Sequence, residues 1–510
     1  MNHISNWVAV GVGLWALTVG GTARADDDGV DGQALIQQAI ELGGRELPAD
    51  AVEVEIWMKE PIAAQRVIQL GSQYFVLEES TGKVRPGWSE SPGKIEVSSW
   101  SSAENLLAQL ALPPMPEAPE GVEVRSIFVP QDQGIRVTGD PTGRWLYVLG
   151  LKGAVERYDT DTDRVELFAD PKVYLADLDE EVSVMGLCFD EQQRMYLVVN
   201  TRDEDVDPIM HHVAIYRSAP IEHGGVLGPE LTPWVEVSYP WGGHQFNHGV
   251  AHIRQGPDGM IYVGSGSRTD ADEDFDEPNI ADGGEVELTS CIWRIDPASD
   301  EPQVEVHAQG LRNAFGFDWD AQGTLWASEN GPNKNPPGEL NVIEAGKHYG
   351  FPYRYSDWEE NPYEHVAEPP AGLSFEPPVI NRGPAGMGEG SESLATFDAH
   401  SSPAGVAYLG EAFGEKWRGA LAVARFGNMI PGETVGYDLL LVRPLPAEQA
   451  GGPREVQTTV LLEGLARPLG VYAAPTGRLY VLEHSRQAPG RQSWAAAGAA
   501  GRLLELRLLD

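Results

Sequence analysis

The chain has 510 residues, 42% of them hydrophobic, enough for a substantial core and for one large β architecture with an extension. It carries 77 acidic against 36 basic residues, a formal net charge of −41. That balance argues against nucleic acid and against an anionic membrane surface, both of which need a basic face, and suits a protein that meets salt or divalent cations.

Residues 1–25 read as a secretory signal: the apolar stretch WVAVGVGLWALTVGGTARA ends in Ala23-Arg24-Ala25, a cleavage pattern before Asp26. No Lys or Arg precedes the apolar run, so an uncleaved membrane anchor is the alternative. No later segment reaches the roughly 18 apolar residues of a spanning helix. Export to a periplasm or to the outside is expected. Residues 26–112 form a small α+β region of packing or docking character. GQALIQQAIELGG and SSAENLLAQLAL have helical spacing, and VEVEIWM and YFVLEE alternate like strands. PPMPEAPEG (113–121) is a Pro-rich linker.

From residue 122 to 510 a degenerate repeat appears: a tight turn, often with Gly, then an apolar strand with an aromatic residue. It occurs as DPTGRWLYVL, DEQQRMYLVV, GPDGMIYVGS, DAQGTLWASE, SPAGVAYLG and APTGRLYVLE, with anchors Tyr147, Tyr196, Tyr262, Trp326, Tyr408 and Tyr480. Six copies, 49 to 82 residues apart, suit four-stranded blades with inserted loops. The expected fold is mainly β, a six-bladed β-propeller. The terminal GRLLELRLLD can supply a strand that closes the ring beside blade 1 and removes exposed sheet edges. Stretches 268–287 and 352–397 read as loops over one face. Cys188 and Cys291 sit in apolar strand-like runs and are expected to be buried free thiols; a disulfide is permitted by export but two cysteines make no scaffold. No Cys-x-x-Cys-His is present, so no c-type haem is attached to this chain.

Three histidines, His244, His248 and His252, are spaced by four, as zinc ligands on one helix face would be. Gly242, Gly243 and Gly249 interrupt, and the segment runs into a turn and a strand, so neither helix nor zinc is expected. The acidic run DADEDFDE (270–277) starts like a Ca²⁺-binding EF-hand, but Phe275 and Ala281 occupy the positions that need Gly and Glu, and a solvated acidic loop is the reading. Arg312-Asn313 and ENGPN (329–333) are more suggestive. A Gly-Pro pair offers backbone carbonyls to a hard cation, and an Arg offers a planar fork to a carboxylate. Together they suit an anionic ligand bridged by Ca²⁺, or a structural turn.

Several segments in order, NHGVAHIRQGPDGMIYVGSG, GLRN, ENGPN with GELNVIEAGKHYGFP, WRGALAVARFG and GLARPLGVYAAPTGRLYVLEH, give the chain a specific resemblance over about 120–508. It resembles the soluble glucose/sorbosone dehydrogenases, the pyrroloquinoline-quinone-dependent aldose sugar dehydrogenases. The resemblance implies a six-bladed propeller, a small-molecule sugar substrate, an external electron acceptor, and Ca²⁺ holding the quinone. It implies that His248 is the general base taking the C1 hydroxyl proton while hydride passes to the quinone, that Arg312, Asn313, Arg425 and Arg467 contact the cofactor, and that the carbonyls of Gly331 and Pro332 hold Ca²⁺. The chain departs from the family's pattern where it has Glu181 and Arg268 in place of cofactor-binding glutamines and Leu469 in place of a second late arginine. An added acid and a lost arginine disfavour a tricarboxylate, and Arg268 offsets one of them. His252 stands where the family often has Arg and is read as a hydrogen-bonded structural residue. Two other readings stay open: a Ca²⁺-dependent propeller hydrolase of the lactonase type, with the carboxylates of 270–277 on the metal, and a non-catalytic propeller that binds glycan or protein.

Overall fold

The computed structural model describes residues 113–176, 178, 182–225, 228–242, 247–274, 279–356, 358, 360–385, 396–428, 434–446, 454–485 and 500–509. Of residues 1–112 only the backbone of short strands is described, among them an antiparallel meander of Gln65–Leu70, Gln73–Glu78, Lys83–Ser91 and Lys94–Val97. The strand read from YFVLEE is its second member. Of the signal segment only the backbone of Val8–Ala9 and Leu14–Trp15 is described, and VEVEIWM and both expected helices lie outside the described residues.

Residues 122–508 build six sheets. Blade 1 is Gly134–Gly139, Trp145–Gly150, Val155–Asp159 and Arg164–Ala169. Blade 2 is Val182–Phe189, Arg194–Asp203, Met210–Pro220 and Leu231–Pro240. Blade 3 is Val250–Gln255, Ile261–Ser265, Cys291–Ile295 and Glu305–Gln309. Blade 4 has three strands, Gly316–Trp319, Leu325–Glu329 and Glu339–Ile343. Blade 5 is Pro403–Tyr408, Leu421–Arg425, Asp438–Pro444 and Glu455–Leu462, flanked in parallel by Ile380–Pro384. Blade 6 is Pro468–Ala473, Arg478–Glu483 and Leu503–Leu508, completed by Val122–Phe128. The first strands of neighbouring blades touch all the way round, so six sheets surround one axis.

Three expectations are corrected. The C-terminal strand closes the ring from inside blade 6, and the outermost strand is the N-terminal Val122–Phe128, which pairs with Leu503–Leu508. Stretch 352–397 is not all loop: it holds the strand Ile380–Pro384, and Val379 donates to the Leu340 carbonyl of blade 4. Tyr408 is out of phase with the other anchors. It ends the first strand of blade 5, whereas Tyr147, Tyr196, Tyr262, Trp326 and Tyr480 lie on second strands. In blade 5 the connection is a short helical excursion (Glu411–Phe413, Gly414–Trp417) instead of a tight turn, which displaces the pattern.

The repeat has a local cause. In blades 2, 3 and 4 a turn aspartate accepts backbone hydrogen bonds, a residue in the left-handed region reverses the chain, and the next strand's aromatic residue bonds back to the same carboxylate. Asp320 accepts from the amides of Gln322 and Thr324 (2.9 Å each), Gly323 has φ +80°, and Trp326 Nε1 donates to Asp320 Oδ2 at 3.0 Å. Tyr196 with Asp190 and Tyr262 with Asp258 repeat that last bond at 3.0 Å.

Each blade is covered on both faces, which is why its second strand reads as a continuous apolar run. In MYLVV, Met195, Leu197 and Val199 pack with blade 1, while Tyr196 and Val198 pack with blade 3. Six such apolar clusters lie between successive blades. Cys188 and Cys291 are buried and free, as expected, and burial pushes both thiols up from their ordinary value. Among the described residues no helix is long and apolar enough to cross a membrane.

Candidate active site

Strand alternation gathers the candidate residues. The start of a blade's first strand and the end of its second lie on the same face of the ring, and the tight turns lie on the other. His248 precedes Val250–Gln255, Arg312 and Asn313 precede Gly316–Trp319, and Arg467 precedes Pro468–Ala473. Arg268, Gly331 and Pro332 follow second strands, and Arg425 ends one. All therefore ring one mouth of the central channel. Glu181 and His244 lie outside the described residues.

His248, Arg312 and Asn313 are brought together around Gly266 and Ser267. The His248 amide donates to Ser267 O (2.8 Å), and the Ser267 amide donates to Arg312 O (2.7 Å). A Cβ on Gly266 would stand 2.5 Å from His248 Cβ and 3.2 Å from Asn313 Oδ1, so only glycine permits this approach. The backbone carrying His248 is clamped from blade 2. Asn200 Oδ1 accepts from the Val250 amide (2.9 Å) and from His211 Nε2 (3.0 Å), and Asn247 Nδ2 donates to His211 Nδ1 (3.1 Å). His211 is completely buried, and burial drives it down to about 3, so it acts as a neutral spacer. Neither Asn200 nor His211 stands out in the sequence, because their partners are 36 to 50 residues away.

The arginines are already engaged with protein oxygens. Arg312 Nη2 pairs with Asp270 Oδ1 (2.7 Å), its Nε donates to Asp270 O (3.0 Å), and Nη1 donates to Gly331 O (3.0 Å). Arg425 grips Asp438 through Nε (2.8 Å) and Nη2 (2.5 Å) and pairs with Asp398 through Nη1. Arg467 donates to the carbonyls of Gly427 (2.9 Å) and Asn428 (2.7 Å) and lies over the rings of Phe426 and Tyr437; burial lowers it to about 10. Its φ of +57° places a non-glycine residue in the left-handed region, a strain common at functional sites. Arg268 turns away from the mouth. It binds four carbonyls, of Trp241, Ala281, Gly283 and Gly284, and fastens the 281–284 loop. Leu469 is 1% exposed in an apolar plug with Ile135, Leu151, Met185, Ala251, Phe315, Ala404 and Phe426, drawn from all six blades. That plug accounts for the absence of an arginine there.

The described acids of the 270–277 run, Asp270, Asp272, Glu273 and Asp274, are spent on separate partners. Asp270 takes Arg312, the Asn333 amide (3.0 Å) and the Tyr363 hydroxyl (2.7 Å), and Asp272 and Asp274 cap the amides of Glu285 (2.9 Å) and Gly283 (2.8 Å). Among the described residues no group of three acidic, histidine or cysteine side chains could hold a metal. His252 Nε2 donates to Phe317 O (3.1 Å) and its ring packs edge-on against Phe317, the structural role expected of it.

The sequence reading missed an oxygen-rich pocket beside Gly331. Glu329 and Glu339 are cross-strand partners, hence on one face, and both are buried. Asn341 Nδ2 donates to both, at 2.9 and 3.0 Å. Burial, followed by the charge of Glu339, holds Glu329 well above the usual carboxylate range. The Ser356 amide donates to Glu339 Oε1, and Asn341 Oδ1 and Ser356 Oγ are buried without a hydrogen-bond partner. Two apposed carboxylates with these oxygens on residues bonded to them are a donor set that fits a hard divalent cation. The signal was available in ENGPNKNPPGE, where two acids bracket the Gly-Pro loop.

The sequence profile of the glucose/sorbosone dehydrogenase family matches residues 189–488. The structure is similar to the PQQ-bound aldose sugar dehydrogenase of Streptomyces coelicolor, with 22% identity over 77% of this chain and 99% of that one and a TM-score of 0.50. It is also similar to the apo-form of the soluble aldose sugar dehydrogenase of Escherichia coli (14%, 76% and 99%, TM-score 0.50) and to a Trichoderma reesei enzyme of carbohydrate-active family AA12 (16%, 78% and 98%, TM-score 0.51). At these identities the likeness is one of fold. No curated protein matches the chain.

Proposed function

Because the chain belongs to the glucose/sorbosone dehydrogenase family, we propose that it is an exported dehydrogenase that oxidises an aldose at C1 to the lactone, with His248 as general base. Family membership supports an oxidoreductase acting on a sugar. The observation that carries the finer reading is the placement of His248: an imidazole at the channel mouth, on backbone clamped by Asn200, His211 and Asn247, with Asn313 across Gly266. Imidazole changes charge near neutral pH, which suits a base that takes a hydroxyl proton in the reaction and returns it to solvent.

Pyrroloquinoline quinone, when bound at this mouth, would supply the two-electron acceptor for the C1 hydride. Asn313, Arg312, Arg425 and Arg467 are donors of the right kind in the right place to hold it. The guanidinium groups of Arg312 and Arg425 pair with Asp270, Asp398 and Asp438, so a cofactor carboxylate would have to share them with those acids. Ca²⁺ would be held by Glu329 and Glu339 with the neighbouring oxygens, next to the Gly331-Pro332 turn, and would offset negative charge there. Electrons then leave to an external acceptor. Export rests on the apolar stretch ending in Ala23-Arg24-Ala25.

The carboxylate partners of Arg312 and Arg425 and the plugged position of Leu469 favour, as the second reading, a propeller that binds no quinone and catalyses nothing. The two separate on reconstitution of the protein with pyrroloquinoline quinone and Ca²⁺, followed by dye reduction against a panel of aldoses. Sugar-dependent reduction that disappears in His248→Ala is the expected result. Absence of cofactor binding by fluorescence titration would overturn the dehydrogenase reading, and turnover of a lactone in its place would identify a hydrolase.

A further inference from the structure

We propose that Ser267 is a positioning residue that holds the His248 ring as its Nδ1–H tautomer and so makes Nε2 the proton-accepting nitrogen; the proposal rests on the reading of His248 as base. Ser267 is fully buried just beyond the second strand of blade 3, and its amide is fixed to the Arg312 carbonyl of the neighbouring blade at 2.7 Å. Its hydroxyl donates to Thr269 O at 2.7 Å. A carbonyl only accepts, so the single hydroxyl hydrogen is engaged there. Ser267 Oγ also stands 3.0 Å from His248 Nδ1, and with no second hydrogen to give it can only accept. Ser267 O, 3.4 Å from the same nitrogen, is a second acceptor on that side. Both demand a hydrogen on Nδ1, which leaves the lone pair of the neutral ring on Nε2.

In the reaction an N–H bond forms at Nε2 as the C1 O–H bond breaks, and the ring becomes an imidazolium still bonded through Nδ1–H to Ser267. The electron pair of the C1–H bond would leave as hydride to the two-electron acceptor that the quinone would supply when bound, as the C1–O bond becomes a carbonyl. The relay ends on the Thr269 carbonyl and not on a carboxylate, so it orients the ring without compensating the new charge.

The test is a long-range ¹H–¹⁵N correlation on protein labelled at histidine nitrogen, with the His248 signals assigned by their loss in His248→Ala. The expected wild-type pattern is a protonated Nδ1 and an unprotonated Nε2. Ser267→Ala should shift the balance toward Nε2–H and lower kcat on the order of 10- to 100-fold, the usual effect of removing a histidine's outer partner. KM should stay within about twofold, because orientation of the base acts on the transition state. Ser267→Thr keeps the hydroxyl and should restore the tautomer. A wild-type ring protonated on Nε2, or a tautomer unmoved in Ser267→Ala, overturns the proposal. If Ser267→Ala does not fold, the wild-type spectrum alone decides. A wild type without sugar turnover would remove the base reading, while the spectrum, which needs neither cofactor nor sugar, still decides the role of Ser267.

Discussion

Leu469→Arg would install the arginine that the family pattern has at this position, and the structure makes it a severe perturbation. Leu469 is 1% exposed in the apolar plug of the channel. Guanidinium groups already border the plug: Arg467 lies over Phe426, and the buried Arg136 lies over Phe315, bonded to the carbonyls of Met185 and Phe315 (2.9 Å each) and lowered to about 9 by that burial. Another guanidinium would meet like charge and no acid from the plug. Loss of the leucine's burial costs about 2–3 kcal/mol. An unpaired buried cation adds several kcal/mol more. The total exceeds about 5 kcal/mol, comparable with the entire stability of many domains. Leu469→Ala, which only opens a cavity, should cost about 2–5 kcal/mol, and Leu469→Met less than about 1.5 kcal/mol. Urea unfolding followed by the fluorescence of the 14 tryptophans measures the series. With a slope of about 3 kcal/mol per molar, the arginine variant should lose about 2 M in midpoint or fail to fold. An arginine variant as stable as Leu469→Met, binding quinone more tightly than wild type, would refute the argument that packing keeps arginine out.

Two further predictions concern carboxylates. Ca²⁺ at about a hundredfold its Kd should stabilise the protein by about 2.7 kcal/mol, seen as a rise in Tm that EDTA reverses. A double Glu329→Gln, Glu339→Gln variant should lose that response, and an unchanged rise would place the cation elsewhere. Glu483 is completely buried, and burial raises its carboxyl to about 7 against the pull of Arg502 Nε at 2.7 Å. A raised acid binds more protons folded than unfolded, so its contribution is present below the unfolded value near 4.5 and is lost as pH rises through about 7. Stability should therefore fall across that window in wild type and fall less steeply in Glu483→Gln; equal slopes in the two proteins contradict the assignment.

What could be read without coordinates was local or repetitive. A tight turn, a left-handed residue and an aromatic three or four positions on form one local unit, and the recurrence of that unit in five blades announced the propeller. The same locality explains the error at Tyr408: a turn-like string preceded the wrong strand because blade 5 replaced its tight turn with a helical excursion. His248, Arg312, Asn313, Arg425 and Arg467 were legible through ordered motifs, and strand alternation alone then places them on one face. Their partners were not. Asp270 lies 42 residues from Arg312, and His211 lies 36 from Asn247. Sequence determined the architecture and the face on which the candidate residues gather, because both follow from short-range hydrogen bonding and strand direction. The charge state of that face, the plug around Leu469, the paired carboxylates of Glu329 and Glu339 and the tautomer of His248 were decided only by the tertiary structure, since each depends on which distant side chain arrives within about 3 Å of a buried polar atom.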